Sequence, residues 1–273
     1  MVGSVFACNS KDNSLYLQSI FVPHAKNKWL KEKKRLMNPS IVQLRGTIFT
    51  PSTIGFTEDL KNKFLPLLPG GQVQPVMVPF LPQASFPLGQ QMTIGGPWKI
   101  VKDGRSIVFN PQSVDVIEGR YNDFISSEEE FADFCVKVLS EITDCLGHNT
   151  RLAYCPTFAM DQLDGFNCKD WWSTMFSSTT QAGVSMQEVN LTYLLKKGFD
   201  LNGKKLTLNM HHNIFDGYRY NKNNVKENDS IIITLDINTV PQSDLKLKPA
   251  DVKPFFEKAL KEKEKLMNNY FGV

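Results

Sequence analysis

Two hairpin signals constrain the fold of this chain more than any other feature of its sequence. The dipeptides Asp103-Gly104 and Asn202-Gly203 each separate two runs of β-type residues. Those runs are 98–101 and 105–110 around the first dipeptide, and 187–199 and 205–215 around the second. Both residues of each dipeptide accept the positive φ angles of a type I′ turn, which joins antiparallel strands. A chain with two such turns is expected to build a largely antiparallel sheet.

Further segments are predicted to add strands to this sheet. Residues 113–119 follow the first hairpin directly and complete a three-stranded meander, while 41–49 alternates apolar and polar residues with the period of a strand. The β-branched run 230–238 is predicted to be a central strand. We also expect strands at 151–159 and, at a sheet edge where proline is tolerated, at 73–80.

Two long segments carry the apolar spacing of amphipathic helices. In 127–146, Ser127 and Glu130 form a capping box, and apolar residues then recur at helical spacing. Residues 249–271 show the same spacing, with lysines and glutamates on the opposite side. A shorter helix is expected to begin at about Thr57, whose hydroxyl is suited to cap it.

The order of these elements predicts an α+β fold. Hairpins dominate and strands do not alternate regularly with helices, so we expect a mainly antiparallel sheet with amphipathic helices packed on one face. We predict a single α+β domain over residues 1–273, with a Pro/Gly-rich insertion at about 66–97. The insertion is apolar for a loop, and it is therefore expected to pack on another surface.

Composition and charge narrow the classes of function. The net charge of +3 is too small for a global field that would attract nucleic acid or an anionic membrane. No segment approaches the roughly 18 apolar residues of a membrane-spanning helix. The odd number of cysteines, five, without an export signal indicates free thiols in a reducing compartment. We therefore predict a cytoplasmic protein without membrane association.

Two cofactor patterns are rejected, one from the spacing of its residues and the other from its structural context. Cys145, His148, Cys155 and Cys168 are too irregularly spaced for a structural zinc site. Residues 198–205 resemble a phosphate-binding loop only in spacing, because they lie in a predicted hairpin and lack the serine or threonine after the lysine. The sequence therefore predicts neither a metal site nor a cofactor.

The sharpest chemical pattern is H-H-x-x-x-D-G at residues 211–217. This pattern resembles the motif of chloramphenicol-acetyltransferase-like and condensation-domain acyltransferases. The resemblance implies that His212 is a general base and that Asp216 organises the site. Strand alternation directs His212 toward the core. The competing interpretation is a structural histidine at a strand end, followed by a turn at Asp216.

Two groups of residues are candidates for binding a macromolecule. A basic helix at 26–35 could contact phosphates, although a solvated helix face explains the same pattern. Its candidate nucleic-acid-binding residues are Lys26, Lys28, Lys31, Lys34 and Arg35. Aromatic side chains often anchor protein partners, although they could equally plug the end of the sheet. The candidate partner-binding residues are Trp171, Trp172, Phe80 and Phe86.

Several short motifs together resemble a sporadically distributed bacterial protein family that has no assigned function. They are W-K-I-V-K-D-G at 98–104, the acidic start of the helix that ends at Leu146, R-L-A-Y at 151–154 and L-D-I at 235–237. The resemblance implies no activity. The scattered occurrence of that family implies a phage-defence or mobile-element setting in bacteria.

These observations favour a non-enzymatic recognition protein that binds a macromolecular partner. A protein partner or a homo-oligomer fits the expected apolar segments best. Two other hypotheses stay open, namely an acyltransferase that uses His212 as general base and a nucleic-acid-binding protein that uses the helix at 26–35.

Overall fold

A computed structural model describes residues 39–51, 54–55, 57–76, 97–119, 126–146, 148–161, 190–220, 225–242 and 245–271. These residues include ten strands and three α-helices. The strands are β1 Ser40–Phe49, β2 Gln72–Pro75, β3 Trp98–Lys102, β4 Arg105–Asn110, β5 Ser113–Gly119, β6 Arg151–Tyr154, β7 Thr157–Asp161, β8 Asn190–Leu201, β9 Lys204–Tyr220 and β10 Lys226–Thr239. The helices are α1 Glu58–Phe64, α2 Glu128–Leu146 and α3 Pro249–Phe271.

All ten strands belong to one antiparallel sheet. Its order is β2-β3-β4-β5-β1-β6-β10-β9-β8, and β7 pairs with β1 and β10 beyond the end of β6. The predicted α+β fold with a mainly antiparallel sheet is therefore confirmed. None of the helices in the described part of the chain is long and apolar enough to cross a membrane.

The two hairpin turns have the backbone geometry that their residues predict. Asp103 and Gly104 have φ angles of 48° and 79°, and Asn202 and Gly203 have φ angles of 52° and 81°. Two successive positive φ angles are the mark of a type I′ turn. These turns fix the registers of the β3–β4 and β8–β9 pairs, which continue without a shift over their whole length.

The predicted strand at 151–159 is interrupted. The chain forms β6 and β7 instead, separated by Cys155 and Pro156. Cys155 exchanges two backbone hydrogen bonds with Arg45, of 3.2 Å and 2.7 Å, and the Pro156 carbonyl accepts a bond of 3.0 Å from the Leu235 amide. Proline has no amide hydrogen for a strand ladder, so a break at this position keeps the remaining backbone groups bonded.

The helices begin at the predicted caps. The Thr57 hydroxyl accepts a hydrogen bond from the Leu60 amide at 3.2 Å. At the start of α2, the Glu130 amide donates to the Ser127 hydroxyl and the Ser127 amide donates to the Glu130 carboxylate, both at 3.1 Å. This exchange is the capping box that the sequence predicts.

Helices α2 and α3 pack on the same face of the sheet and against each other. Both helices approach β1 closely at Gly46. A Cβ atom added to Gly46 would lie 2.6 Å from the Cys135 sulfur of α2 and 2.9 Å from the Phe256 ring of α3. A glycine is required here because only a residue without a side chain leaves room for both helices.

Strand alternation separates the sheet into two faces. We call the side that carries α2 and α3 the helix face and the other side the open face. Buried apolar residues dominate the helix face, including Leu44, Ile48, Val114, Val116, Leu208, Met210, Ile233, Leu235 and Ile237. The open face is more polar, and most of its side chains are half-buried or exposed. The core therefore lies between the sheet and the helices.

Candidate functional site

Most of the predicted binding residues lie outside the described residues. This holds for Trp171, Trp172, Phe80 and Phe86, and for the basic residues of the predicted helix at 26–35. Partner binding through these aromatic residues and nucleic-acid binding through Lys26, Lys28, Lys31, Lys34 and Arg35 therefore stay predictions. The candidate site described below rests on other parts of the chain.

His212 lies in β9 on the helix face and is fully buried. Its imidazole stacks on the Tyr193 ring, with 4.3 Å between centroids and 16° between planes. Burial and, to a smaller extent, the neighbouring His211 lower the pKa of His212 to about 4. The imidazole is therefore neutral at pH 7, as the alternation of the strand led us to expect for a core position.

The structure does not bring His212 and Asp216 together. Both residues lie in β9 and are four positions apart on one extended strand, which separates their Cα atoms by roughly 13 Å. A general base also has to reach a proton of the substrate, and His212 is sealed in this conformation. The acyltransferase hypothesis stays a prediction, and the geometry of the described residues adds no support to it.

The open face carries a row of four polar side chains, three from strands β9, β10 and β1 and one from the break between β6 and β7. His211 of β9 pairs with Asp236 of β10, and the Cys155 thiol donates to the Asp236 carboxylate at 3.3 Å. Cys155 is in turn the backbone partner of Arg45 in β1. We call His211, Asp236, Cys155 and Arg45 the polar row.

Neighbouring side chains orient two carboxylates near Arg45, that of Asp236 in the polar row and that of Asp115 outside it. The side-chain amide of Asn238 donates a hydrogen bond to the Asp236 carboxylate at 2.9 Å. On the other side of Arg45, the Asp115 carboxylate accepts a hydrogen bond from the Thr47 hydroxyl at 2.5 Å and one from the side-chain amide of Asn110 at 2.7 Å. Arg45 thus lies between two oriented carboxylates on the open face.

The charges of the polar row do not favour nucleophilic chemistry. Burial and, to a smaller extent, Asp236 raise the pKa of Cys155 to about 12, and Arg45 offsets only part of the rise. Burial opposes the charge of Arg45, but Cys155, Asp115 and Asp236 outweigh burial and raise its pKa. Cys155 is therefore a neutral thiol at pH 7, whereas a cysteine nucleophile needs a thiolate. The arrangement is suited to hydrogen bonding rather than covalent catalysis.

No group of three or more histidine, cysteine, aspartate or glutamate side chains in the described ranges is arranged to hold a metal ion. Sequence reasoning missed the polar row because its members lie far apart in the chain. Only the strand order places them side by side. The one local signal is Asp236, the single charged residue within the run 230–238 of β10.

Strand β8 forms one edge of the sheet. It has twelve residues, contains no proline, and pairs with β9 without a register shift. Among the residues that the structure describes, none pairs with its outer edge. Leu194, on its open face, has 40% of its surface exposed and lies opposite His211. The polar row therefore leads directly to a strand whose outer edge has no neighbour among the described residues.

The opposite edge of the sheet is much shorter. Strand β2 has four residues and ends at Pro75, which cannot donate a backbone hydrogen bond. Short edge strands and prolines are common devices against unwanted strand pairing. The two edges therefore differ in how readily they would accept another strand.

A comparison of the chain with protein-family models, with curated proteins and with solved structures finds no match in any of the three.

Proposed function

We propose that this protein is a non-enzymatic recognition protein that binds an extended segment of a protein partner along the outer edge of β8. The observation that supports this proposal is that β8 has twelve residues, pairs with β9 without a register shift and has no described neighbour on its outer side. Successive residues of a strand direct their backbone groups to opposite sides. About half of the β8 residues therefore present an amide and a carbonyl to an incoming segment.

An added strand satisfies these backbone groups and gains affinity from them. A typical intramolecular hydrogen bond contributes about 0.5–1.5 kcal/mol net, and several form in sequence along an edge. Specificity comes from side chains that alternate between the two faces of the sheet. On the open face, Leu194 offers an apolar contact, and His211 beside it begins the polar row.

Lys197 is a charged residue in the middle of this edge. Charges in edge strands often prevent pairing, because a new strand would bury them. Here the Lys197 ammonium donates to the Glu262 carboxylate of α3, at 2.9 Å and 3.1 Å. This contact directs its charge over the helix face, so the backbone of the edge stays accessible.

The test compares proline substitutions at two adjacent residues of β8. Leu194→Pro and Leu195→Pro remove amides that point to opposite sides, so one variant loses an outward donor and the other loses a bond to β9. Thermal unfolding shows which variant has lost only an outward donor, because that variant is the more stable of the two. Binding is measured by fluorescence polarisation with three labelled decapeptides, in which valine alternates with glutamate, glutamine or lysine.

We expect at least one peptide to bind the wild-type protein, with at least tenfold weaker binding to the variant that lacks the outward donor. Such a loss in a folded variant indicates pairing at the outer edge. Binding of no peptide, or equal binding to wild type and that variant, would contradict the proposed function.

A further inference from the structure

We infer that the segment bound along β8 is acidic. This inference rests on the proposed function and specifies the chemical class of the partner. It comes from an excess of positive charge beside the middle of the β8 edge, on both faces of the sheet.

A single carboxylate of α3 holds three lysines on the helix face. Glu262 lies 2.9 Å from the Lys197 ammonium, 3.2 Å from that of Lys265 and 3.4 Å from that of Lys258. We call these four residues the lysine cluster. Three positive charges and one negative charge leave a net charge of +2, by the formal charges of the four side chains.

The negative charge of the cluster is fixed at physiological pH. Burial opposes the ionisation of Glu262, but hydrogen bonds from Lys197 and Lys265 outweigh it and lower the pKa of the carboxyl group. The Glu262 side chain is only 5% exposed, so it has little surface for further partners. The Lys265 side chain is 60% exposed and the Lys197 side chain 42% exposed. The excess charge is therefore presented to solvent.

Other acidic residues of α3 do not neutralise the cluster. Asp251 lies on the same side of the helix, but it is roughly 16 Å away along the helix axis and pairs with Lys204. With 3.6 residues per turn, Glu257 and Glu264 are rotated by roughly 140° and 160° from Glu262. Both are exposed. The side of α3 next to β8 therefore keeps its positive charge.

The open face adds one more positive charge at the same position of the edge. Lys196 precedes Lys197 in β8, and strand alternation places it on the opposite face, where it is exposed. A new strand would lie about 4.8 Å from β8 and direct its side chains to both faces. Carboxylates on either face of that strand would then lie near an ammonium group.

The same charges disfavour a second copy of the chain as the occupant. Two antiparallel copies of β8 would bring two positive edges together, and like charges opposite each other destabilise a strand pair. An acidic segment instead neutralises the excess positive charge of the lysine cluster. Exposed charge pairs are weak individually, so several of them are needed to produce a measurable preference.

The experiment compares the dissociation constants of the three labelled decapeptides at low salt. We expect the glutamate peptide to bind about tenfold more tightly than the glutamine peptide, and the lysine peptide to bind most weakly. The preference for glutamate is expected to shrink at 0.5 M salt, because screening weakens exposed charge pairs.

A matched pair of double variants separates local charge from total charge. Lys258→Gln with Lys265→Gln removes two charges from the lysine cluster and is expected to reduce the preference for glutamate to within about threefold. Lys137→Gln with Lys253→Gln removes two exposed charges elsewhere on α2 and α3, and it should leave the preference unchanged. Equal losses in both double variants would overturn the inference, since they would indicate an effect of net charge alone.

The remaining outcomes distinguish the inference from the proposed function. Equal binding of the glutamate and glutamine peptides, or tighter binding of the lysine peptide, would overturn the inference and leave edge binding intact. Binding of none of the three peptides would overturn the proposed function itself. A wild-type dimer in sedimentation experiments that Leu194→Pro or Leu195→Pro converts to a folded monomer would show that a second copy occupies the edge, which also overturns the inference.

Discussion

The two faces of the sheet place similar residues in opposite environments. His211 and His212 are neighbours in the chain, yet strand alternation puts one on each face. His212 is sealed among apolar side chains and stacks on Tyr193, while His211 belongs to the polar row and is half-buried. The face on which a residue lies therefore decides which interactions its side chain can make, even for two identical neighbours.

Polar groups on the helix face are engaged within the protein. The Glu128 carboxylate accepts from the Tyr154 hydroxyl at 2.6 Å and from the Lys263 ammonium at 2.5 Å. Glu118 is fully buried and accepts two hydrogen bonds from the Arg105 guanidinium. Such groups stabilise packing between the helices and the sheet. Binding of a partner is therefore expected to depend on the β8 edge, with the lysine cluster beside it, and on the open face rather than on these buried groups.

The largest expected contrast comes from apolar truncations on the two faces. Phe256→Ala should destabilise the protein by about 3–5 kcal/mol, because the ring is buried between α3 and the sheet and its removal leaves a cavity. Leu194→Ala should change the free energy of unfolding by less than about 0.5 kcal/mol, because Leu194 lies on the surface of the open face rather than in the core. Urea unfolding at pH 7 measures both values, and similar losses would break the distinction between the faces.

A second contrast adds one methyl group to each face. Gly46→Ala should cost about 1–3 kcal/mol, since its Cβ would lie within 3 Å of both Cys135 and Phe256. Gly198 is the matched control, because a Cβ atom there would meet nothing within 4 Å. Gly198→Ala should be neutral or stabilise by up to about 1 kcal/mol, since glycine weakens a strand. A tolerated Gly46→Ala, measured by urea unfolding, would mean that α2 and α3 pack less closely than described.

The third contrast uses pH and the two histidines. The pKa of His212 is lowered to about 4 in the folded protein, from 6.5 in the unfolded chain. The unfolded state therefore binds a proton first as the pH falls, and stability decreases over that interval. From pH 7 to pH 5 the loss is about 2 kcal/mol. The measurement is urea unfolding at both pH values.

The matched variants assign this pH dependence to one residue. His212→Phe keeps a ring to stack on Tyr193 and should abolish most of the loss between pH 7 and pH 5, whereas His211→Gln should retain it. The lowered pKa values of Asp251 and Glu262 contribute little to the loss between pH 7 and pH 5, because both carboxyl groups are mostly ionised there even in the unfolded chain. An unchanged pH dependence in His212→Phe would show that His212 is not a buried neutral group.

Local signals in the sequence predicted most of the individual elements. The turns at Asp103-Gly104 and Asn202-Gly203, the capping box of α2 and the bounds of α3 all depend on residues that are close in the chain. The break at Cys155-Pro156 was missed, because backbone bonds to Arg45 and Leu235 maintain it. Those partners are distant in the sequence, and no local pattern identifies them.

The candidate site was less predictable than the fold. Alternation in β9 correctly placed His212 in the core. The H-H-x-x-x-D-G pattern drew attention to His212 and Asp216, yet an extended strand keeps the two apart. The polar row and the unpaired edge depend on the order of strands in the sheet, which the sequence pattern does not contain. A residue's neighbours across a sheet therefore have to be known before its chemistry can be interpreted.

The central place of β1 has a consequence for how the chain folds during synthesis. This strand pairs with β5 on one side and with β6 and β7 on the other, so it joins the strands β2–β5 to the strands β8–β10. Tyr154 of β6 pairs with Gly46 of β1, although it follows Gly46 in the chain by more than one hundred residues. Pairings over such sequence separations form slowly. The meander of β3, β4 and β5 can form soon after translation, but one side of β1 must wait for a ribosome that has moved far downstream.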